Sequence, residues 1–166
     1  MKTLTISVIV AAILVFLSPH GALAFGDHFQ PGQMRGGLSW DNVSAMEQGV
    51  LRFGAAFGVT VLRGIEIGYE QQFIVPKEGY ESRSWGYLRL VPFSEWYINP
   101  FISARTGYYA YDGERRAFAG GLGGGFVMFI DKHFAFEASL FTQWVVHQAS
   151  AIERQVDFDW RVTLYF

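Results

Sequence analysis

Apolar and polar residues alternate with a period of two along most of this chain. The last segment is the clearest case. From Val156 to Phe166 one face carries Val156, Phe158, Trp160, Val162, Leu164 and Phe166, while the other carries Asp157, Asp159, Arg161, Thr163 and Tyr165. Successive side chains of a strand point to opposite faces, so this pattern predicts a strand with one apolar and one polar side. Phe134–Val146 sets Phe134, Phe136, Ala138, Leu140, Thr142 and Trp144 against Ala135, Glu137, Ser139, Phe141 and Gln143. Ala117–Ile130 sets Leu122, Gly124, Phe126, Met128 and Ile130 against Gly121, Gly123, Gly125, Val127 and Phe129, and Pro100–Tyr111 sets Ile102, Ala104, Thr106 and Tyr108 against Phe101, Ser103, Arg105 and Gly107. Ser84–Val91 opposes Gly86, Leu88 and Leu90 to Trp85, Tyr87 and Arg89, and a bulge there would turn Trp85 and Tyr87 outward. Gly49–Val61 and Gly64–Val75 flank the hairpin-length break Leu62-Arg63-Gly64, with Arg52, Glu66 and Glu70 on their polar faces. A weaker segment, Gln33–Trp40, alternates Met34, Gly36, Leu38 and Trp40 with Arg35, Gly37 and Ser39. The count is eight strands.

An all-β reading follows, and the strand lengths refine it. The alternation of the last strand is unbroken for 11 residues, as a tilted strand crossing a bilayer requires (about 9–11 residues), whereas strands of soluble domains are nearer five or six. Eight antiparallel strands close an up-and-down transmembrane β-barrel, the one sheet that satisfies every backbone group in lipid. The connections Asp41–Gln48, Pro76–Ser82, Asp112–Arg116 and His147–Arg154 fall at one end and form surface loops of five to eight residues. Leu62–Gly64, Phe93–Asn99 and Asp131–His133 fall at the other. Outer-membrane barrels have longer outer loops than periplasmic turns, and this chain follows that asymmetry modestly.

The amino end reads as an address. Lys2 is a positive start, Leu4–Leu17 is an apolar run, and Ala22-Leu23-Ala24 places small residues where a signal peptidase cuts. Cleavage after Ala24 divides the chain into a signal peptide, residues 1–24, and a barrel domain, residues 25–166. Composition removes further classes. With 13 Lys+Arg against 15 Asp+Glu and no basic cluster, no nucleic-acid partner is expected. Cysteine is absent, which excludes a disulfide framework, a thiolate metal site and a cysteine nucleophile. The glycine run Gly120–Gly125 lacks both dinucleotide-fingerprint spacing and a following Lys-Ser/Thr, so it is strand glycine. No metal-ligand cluster exists in the sequence, and no cofactor is expected.

The final segment resembles the carboxy-terminal assembly signal of bacterial outer-membrane barrels. It ends in an aromatic residue with apolar residues at every second position before it: Phe158, Trp160, Val162, Leu164 and Phe166. The stretches Tyr87-Leu88-Arg89-Leu90 and Asn99-Pro100-Phe101-Ile102-Ser103-Ala104 look like the strand–turn–strand unit of small OmpA-type and OmpX-type barrels. That resemblance implies location in the outer membrane of a Gram-negative cell, contact with its lipid and lipopolysaccharide, periplasmic chaperoning, and insertion by the barrel-assembly machinery.

Alternation alone also fits a soluble lipocalin-like barrel turned inside out, with apolar side chains lining a ligand cavity. Strand length, the terminal Phe166, and aromatics suited to interfacial girdles (Trp40, Tyr69, Tyr108, Phe134, Trp144) favour lipid outside. The interior then holds Glu66, Glu70, Glu137, Asp157 and Asp159 with Arg52, Arg89, Arg105 and Arg161, joined by Arg35 if the first strand is in register. A lumen this narrow is filled by side chains, so a near-balanced charge set predicts paired ions closing it, with Arg161 near Asp157 and Asp159. Inward glycines at 54, 58, 68, 107, 121, 123 and 125 make room for long side chains. A narrow channel is the alternative. A lipid A-modifying enzyme is a second: His147, Ser150 and Glu153 superficially resemble the late His and Ser of lipid A deacylase barrels. The spacing differs by one residue, however, and Ala151 stands where that family has Asn. These three residues therefore read as solvated loop positions, His28 and His133 as exposed, and no residue is assigned a catalytic role. The expected role is structural or surface-interactive.

Overall fold

In a computed structural model of the chain, residues 28–41, 50–76, 79–94, 97–111, 115–146 and 152–166 are described. The expected signal peptide, His147, Ser150 and Ala151 lie outside the described residues. Eight strands follow one another: β1 (Met34–Asp41), β2 (Leu51–Leu62), β3 (Ile65–Val75), β4 (Glu81–Leu90), β5 (Ile98–Tyr111), β6 (Arg115–Phe129), β7 (Phe134–Val146) and β8 (Ile152–Tyr165). Each pairs antiparallel with the next, and β1 pairs with β8 to close the barrel. The closing seam is short, five register pairs from Arg35↔Tyr165 to Ser39↔Arg161, against fourteen between β5 and β6. Two backbone bonds extend it: the Met34 amide donates to the Phe166 carbonyl at 2.8 Å, and the Phe166 amide donates to the Met34 carbonyl at 3.0 Å.

Period two dictates which side chains share a face, and here the apolar set points out. Leu38, Ile102 and Phe158 are each more than 60% exposed, as part of a belt of large apolar residues contributed by every strand. Aromatic pairs stitch neighbouring strands on this outer surface: Trp40 with Trp160 (4.6 Å between centroids), Phe53 with Phe73 (5.3 Å) and Tyr108 with Phe118 (5.6 Å). The inward set is largely polar, with one apolar cluster closing the short-turn end and a second packed beside the charges toward the other end. At the short-turn end Val91, Phe101, Val127, Phe129, Ala135 and Tyr165 cluster with Phe29; toward the other end Trp85, Tyr109, Ala117, Ala119 and Val145 cluster.

Several expectations are corrected. β4 begins at Glu81 and not Ser84, because Ser82 and Ser84 interrupt the outward apolar row while the inward row Glu81, Arg83, Trp85 continues. β6 begins at Arg115, paired to Tyr111, and β8 at Ile152, paired to Val146, so the loops read as Asp112–Arg116 and His147–Arg154 shrink to 112–114 and 147–151. Glu153 accordingly belongs to a strand. Without a bulge in β4, Trp85 and Tyr87 stay inward and buried. His28 is buried too, its ring stacked on Phe129 at 3.6 Å; His133 is exposed as read.

Candidate functional site: the charged lumen

Three tiers of ionic side chains fill the interior, and Arg35 of β1 is the hub of the lowest. Its Nε donates to Glu66 Oε1 at 2.8 Å, its Nη1 donates to both oxygens of Glu137 at 3.1 Å, and its Nη2 donates to the Tyr87 hydroxyl. That hydroxyl donates in turn to Glu66 Oε1 at 2.8 Å. Arg89 grips Glu137 with two further bonds at 3.1 and 3.3 Å, and the Tyr165 hydroxyl donates to Glu137 Oε1 at 3.0 Å. Arg35, Glu66 and Glu137 are only 1–2% exposed. An isolated buried ion costs several kcal/mol in lost hydration, roughly, and this tier offsets that cost with several charge-assisted bonds per group.

The middle tier is Arg161 between Glu70 and Asp159. Its Nη2 lies 3.1 Å from both oxygens of Glu70 and bonds Asp159 as well, while its Nε sits 3.9 Å from Glu137, coupling the tiers. Gln72 donates to Glu70 Oε1 at 2.6 Å. In the upper tier Asp157 is the common acceptor: Oδ2 takes bonds from Gln143 (2.6 Å), Arg83 (2.9 Å) and Arg105 (3.5 Å), and Arg52 lies 3.8 Å from Oδ1. Arg83 also bonds Glu81. The Arg105 guanidinium lies over the rings of Trp85 (4.5 Å) and Phe141 (4.0 Å), and that of Arg83 lies over Tyr109 (4.5 Å).

Small residues carve the space these groups occupy. A Cβ on Gly58 or Gly68 would run into the Tyr87 hydroxyl, so these two glycines form the niche that brings it to Glu66 and Arg35. Gly123 does the same for the Phe141 ring beneath Arg105.

The ionic set thus contains Arg35, Arg52, Arg83, Arg89, Arg105 and Arg161 with Glu66, Glu70, Glu81, Glu137, Asp157 and Asp159, six of each sign in mutual contact. All nine interior residues read from the sequence are brought together. Arg52, about a fifth exposed, is the most peripheral of the arginines. Asp157 pairs across the lumen with Arg83 and Arg105, while Arg161 takes Asp159 and Glu70 instead. Arg83 escapes the sequence reading because the alternation there places the start of β4 at Ser84, three residues after its true start at Glu81, and the aromatic partners Tyr87 and Tyr165 escape it because a period-two count assigns them a face and no bond. Among the described residues no group of three or more His, Cys, Asp or Glu side chains is arranged to hold a metal ion.

The residues of the terminal motif lie on the outer face of β8. Phe158, Leu164 and Phe166 are exposed, and Trp160 and Val162 are half-buried, with Trp160 against Trp40 and Phe136.

No protein-family model matches the chain, and no curated protein matches it. Among solved structures it is similar to the N-terminal β-barrel domain of Pseudomonas aeruginosa OprF, with a TM-score of 0.52 and 12% identity over 82% of this chain and 98% of that domain. The likeness is one of fold, a closed β-barrel.

Proposed function

We propose that the chain is an integral outer-membrane barrel whose role is structural or surface-interactive and whose lumen is closed by its own ion pairs. The observation that carries this reading is the inverted distribution of polarity: a continuous apolar belt outside and twelve paired ionic side chains within. In water such a belt would far exceed the apolar patch a monomer normally exposes, whereas lipid is its natural solvent. The likeness to the OprF barrel domain supports the same location. A lipocalin-like ligand binder would need the opposite arrangement, an apolar lining.

On this reading residues 1–24 are removed on export, chaperones carry the chain across the periplasm, and the assembly machinery engages Phe158, Trp160, Val162, Leu164 and Phe166 on β8. The short turns face the periplasm and the connections 42–50, 76–80, 112–114 and 147–151 face outward, where they meet lipopolysaccharide. Connections this short limit how far the barrel reaches beyond the membrane. Catalysis is no part of this reading.

Cell fractionation tests it. The protein is expected in the outer-membrane fraction, resistant to alkaline extraction, and migrating differently on gels before and after boiling. Recovery from the soluble periplasm or the medium without such a shift would contradict it.

A further inference from the structure

The segment ahead of β1 turns into the barrel. Phe29 has φ of 64°, the one positive value for a non-glycine residue among the described residues. That conformation is an outlier for a bulky side chain and persists only where surrounding contacts enforce it. Here they are specific. The Phe29 amide donates to Gln33 Oε1 at 2.6 Å, and its carbonyl accepts from the Gly64 amide at 3.0 Å. The Gly32 amide donates to the Thr60 carbonyl at 2.7 Å, and the Thr60 amide donates to the Gln33 carbonyl at 2.9 Å. Gly64 itself has a φ of 72° and accepts from the Val91 amide at 2.7 Å, so one hairpin turn ties the segment to the end of β4.

The result is that the Phe29 ring, with no exposed surface, stands in the short-turn mouth, edge-on to Phe129 (5.9 Å) and Tyr165 (5.5 Å). Directly above it are the ion pairs: Tyr165 donates to Glu137, and the Arg89 guanidinium lies 4.1 Å from the centroid of Phe101. We propose that residues 28–33 are a built-in plug that seals the short-turn mouth of the barrel, with Phe29 as its stopper, so that solutes on that side do not reach the lumen. The strained backbone belongs to this device. A glycine would adopt the conformation freely, whereas Phe adopts it at a cost and places its ring in the mouth. The inference rests on the barrel fold and the contacts of Phe29, not on membrane location.

The chain has no cysteine, so a single reporter thiol is unambiguous. Ala135→Cys places one in the same buried cluster, facing the lumen. Folded protein in detergent micelles, verified by its boiled and unboiled mobilities, is treated with a charged, water-soluble methanethiosulfonate. Labelling is expected to be slow with Phe29 present, faster by about ten-fold or more with Phe29→Gly, and slow again with Phe29→Leu. Gly suits a φ of 64°, so this variant keeps the backbone and loses only the ring. Equal rates for Phe29 and Phe29→Gly, or rapid labelling in the parent protein, would overturn the proposal. Val127→Cys, equally buried in the cluster, is a second reporter should Ala135→Cys not fold. Because the assay is done in micelles, its failure leaves the outer-membrane reading untouched, and failure of that reading leaves the plug testable.

Discussion

Replacing Glu137 with Gln removes one negative charge from the lowest ionic tier at almost constant volume. The native carboxylate accepts from Arg35 and Arg89 at 3.1–3.3 Å and from Tyr165 at 3.0 Å. After substitution Arg35 keeps Glu66 at 2.8 Å, so the loss falls on Arg89. Among the described residues Arg89 pairs with no other carboxylate; what remains to it are the faces of Phe101 at 4.1 Å and Tyr87 at 5.7 Å. Stranding a buried cation costs about 3–5 kcal/mol, and the Gln carbonyl, still an acceptor, recovers about 1 kcal/mol, leaving a net loss of about 2–4 kcal/mol. The assay is denaturant titration of the protein refolded in lipid vesicles, followed by tryptophan fluorescence and by the mobility shift. Arg154→Ala, at an exposed position, is the control and should move stability by no more than about 0.5 kcal/mol. Adding Arg89→Met to Glu137→Gln should cost less than Arg89→Met alone, with a coupling of about 1–3 kcal/mol in the double-mutant cycle. A Glu137→Gln protein as stable as the control, or strictly additive effects, would refute the idea that these ions hold one another in place.

Three further outcomes are expected. Leu122→Arg, in the middle of β6 and pointing outward, should cost about 2–4 kcal/mol in vesicles, as a cation at the lipid midplane does; an unchanged titration would show that this face meets water. Gly107→Ala drives a Cβ into the Ser84 carbonyl and should lose about 1–3 kcal/mol, whereas Gly86→Ala, whose nearest neighbour would be 3.9 Å away, should be neutral within about 0.5 kcal/mol by the same titration. In the β6–β7 turn, backbone hydrogen bonds from His133 (2.6 Å) and Phe134 (2.8 Å) hold the Asp131 carboxyl below the usual carboxylate range. A depressed folded value means that the stabilisation is complete above the ordinary carboxylate range and is lost as pH falls through the folded value. The stability gap between the native protein and Asp131→Ala, measured by denaturant titration, should therefore be constant near neutrality and close on acidification.

What could be read from the sequence was what period two encodes. The eight strands, their order and the inward direction of Glu66, Arg105, Glu137 and Arg161 all follow from alternation, because a closed barrel leaves each side chain only two directions. Strand ends were less legible. Beyond the apolar belt, outward residues such as Ser82, Ser84 and Arg154 turn polar, so the apolar signal stops before the hydrogen bonding does, and Arg83 was lost with it. Partner choice was not legible at all. Arg161 reaches Glu70 of β3 and Asp157 reaches Arg83 of β4 across the lumen, and such pairings depend on the stagger of strands around the closed sheet, which one sequence does not encode locally. The burial of His28 and Phe29 was invisible for a related reason: a short polar lead-in with Pro31 and Gly32 reads as an exposed tail until the mouth it turns into exists.

The central claim is that the apolar belt meets lipid and the charges meet one another. Refolding tests it most directly: the chain from residue 25, dissolved in urea, is diluted into buffer with and without phosphatidylcholine vesicles, and secondary structure and gel mobility are recorded. The account predicts β-structure with a boiling-dependent mobility shift only when vesicles are present. A folded, monomeric, lipid-free β-barrel in plain buffer would contradict it.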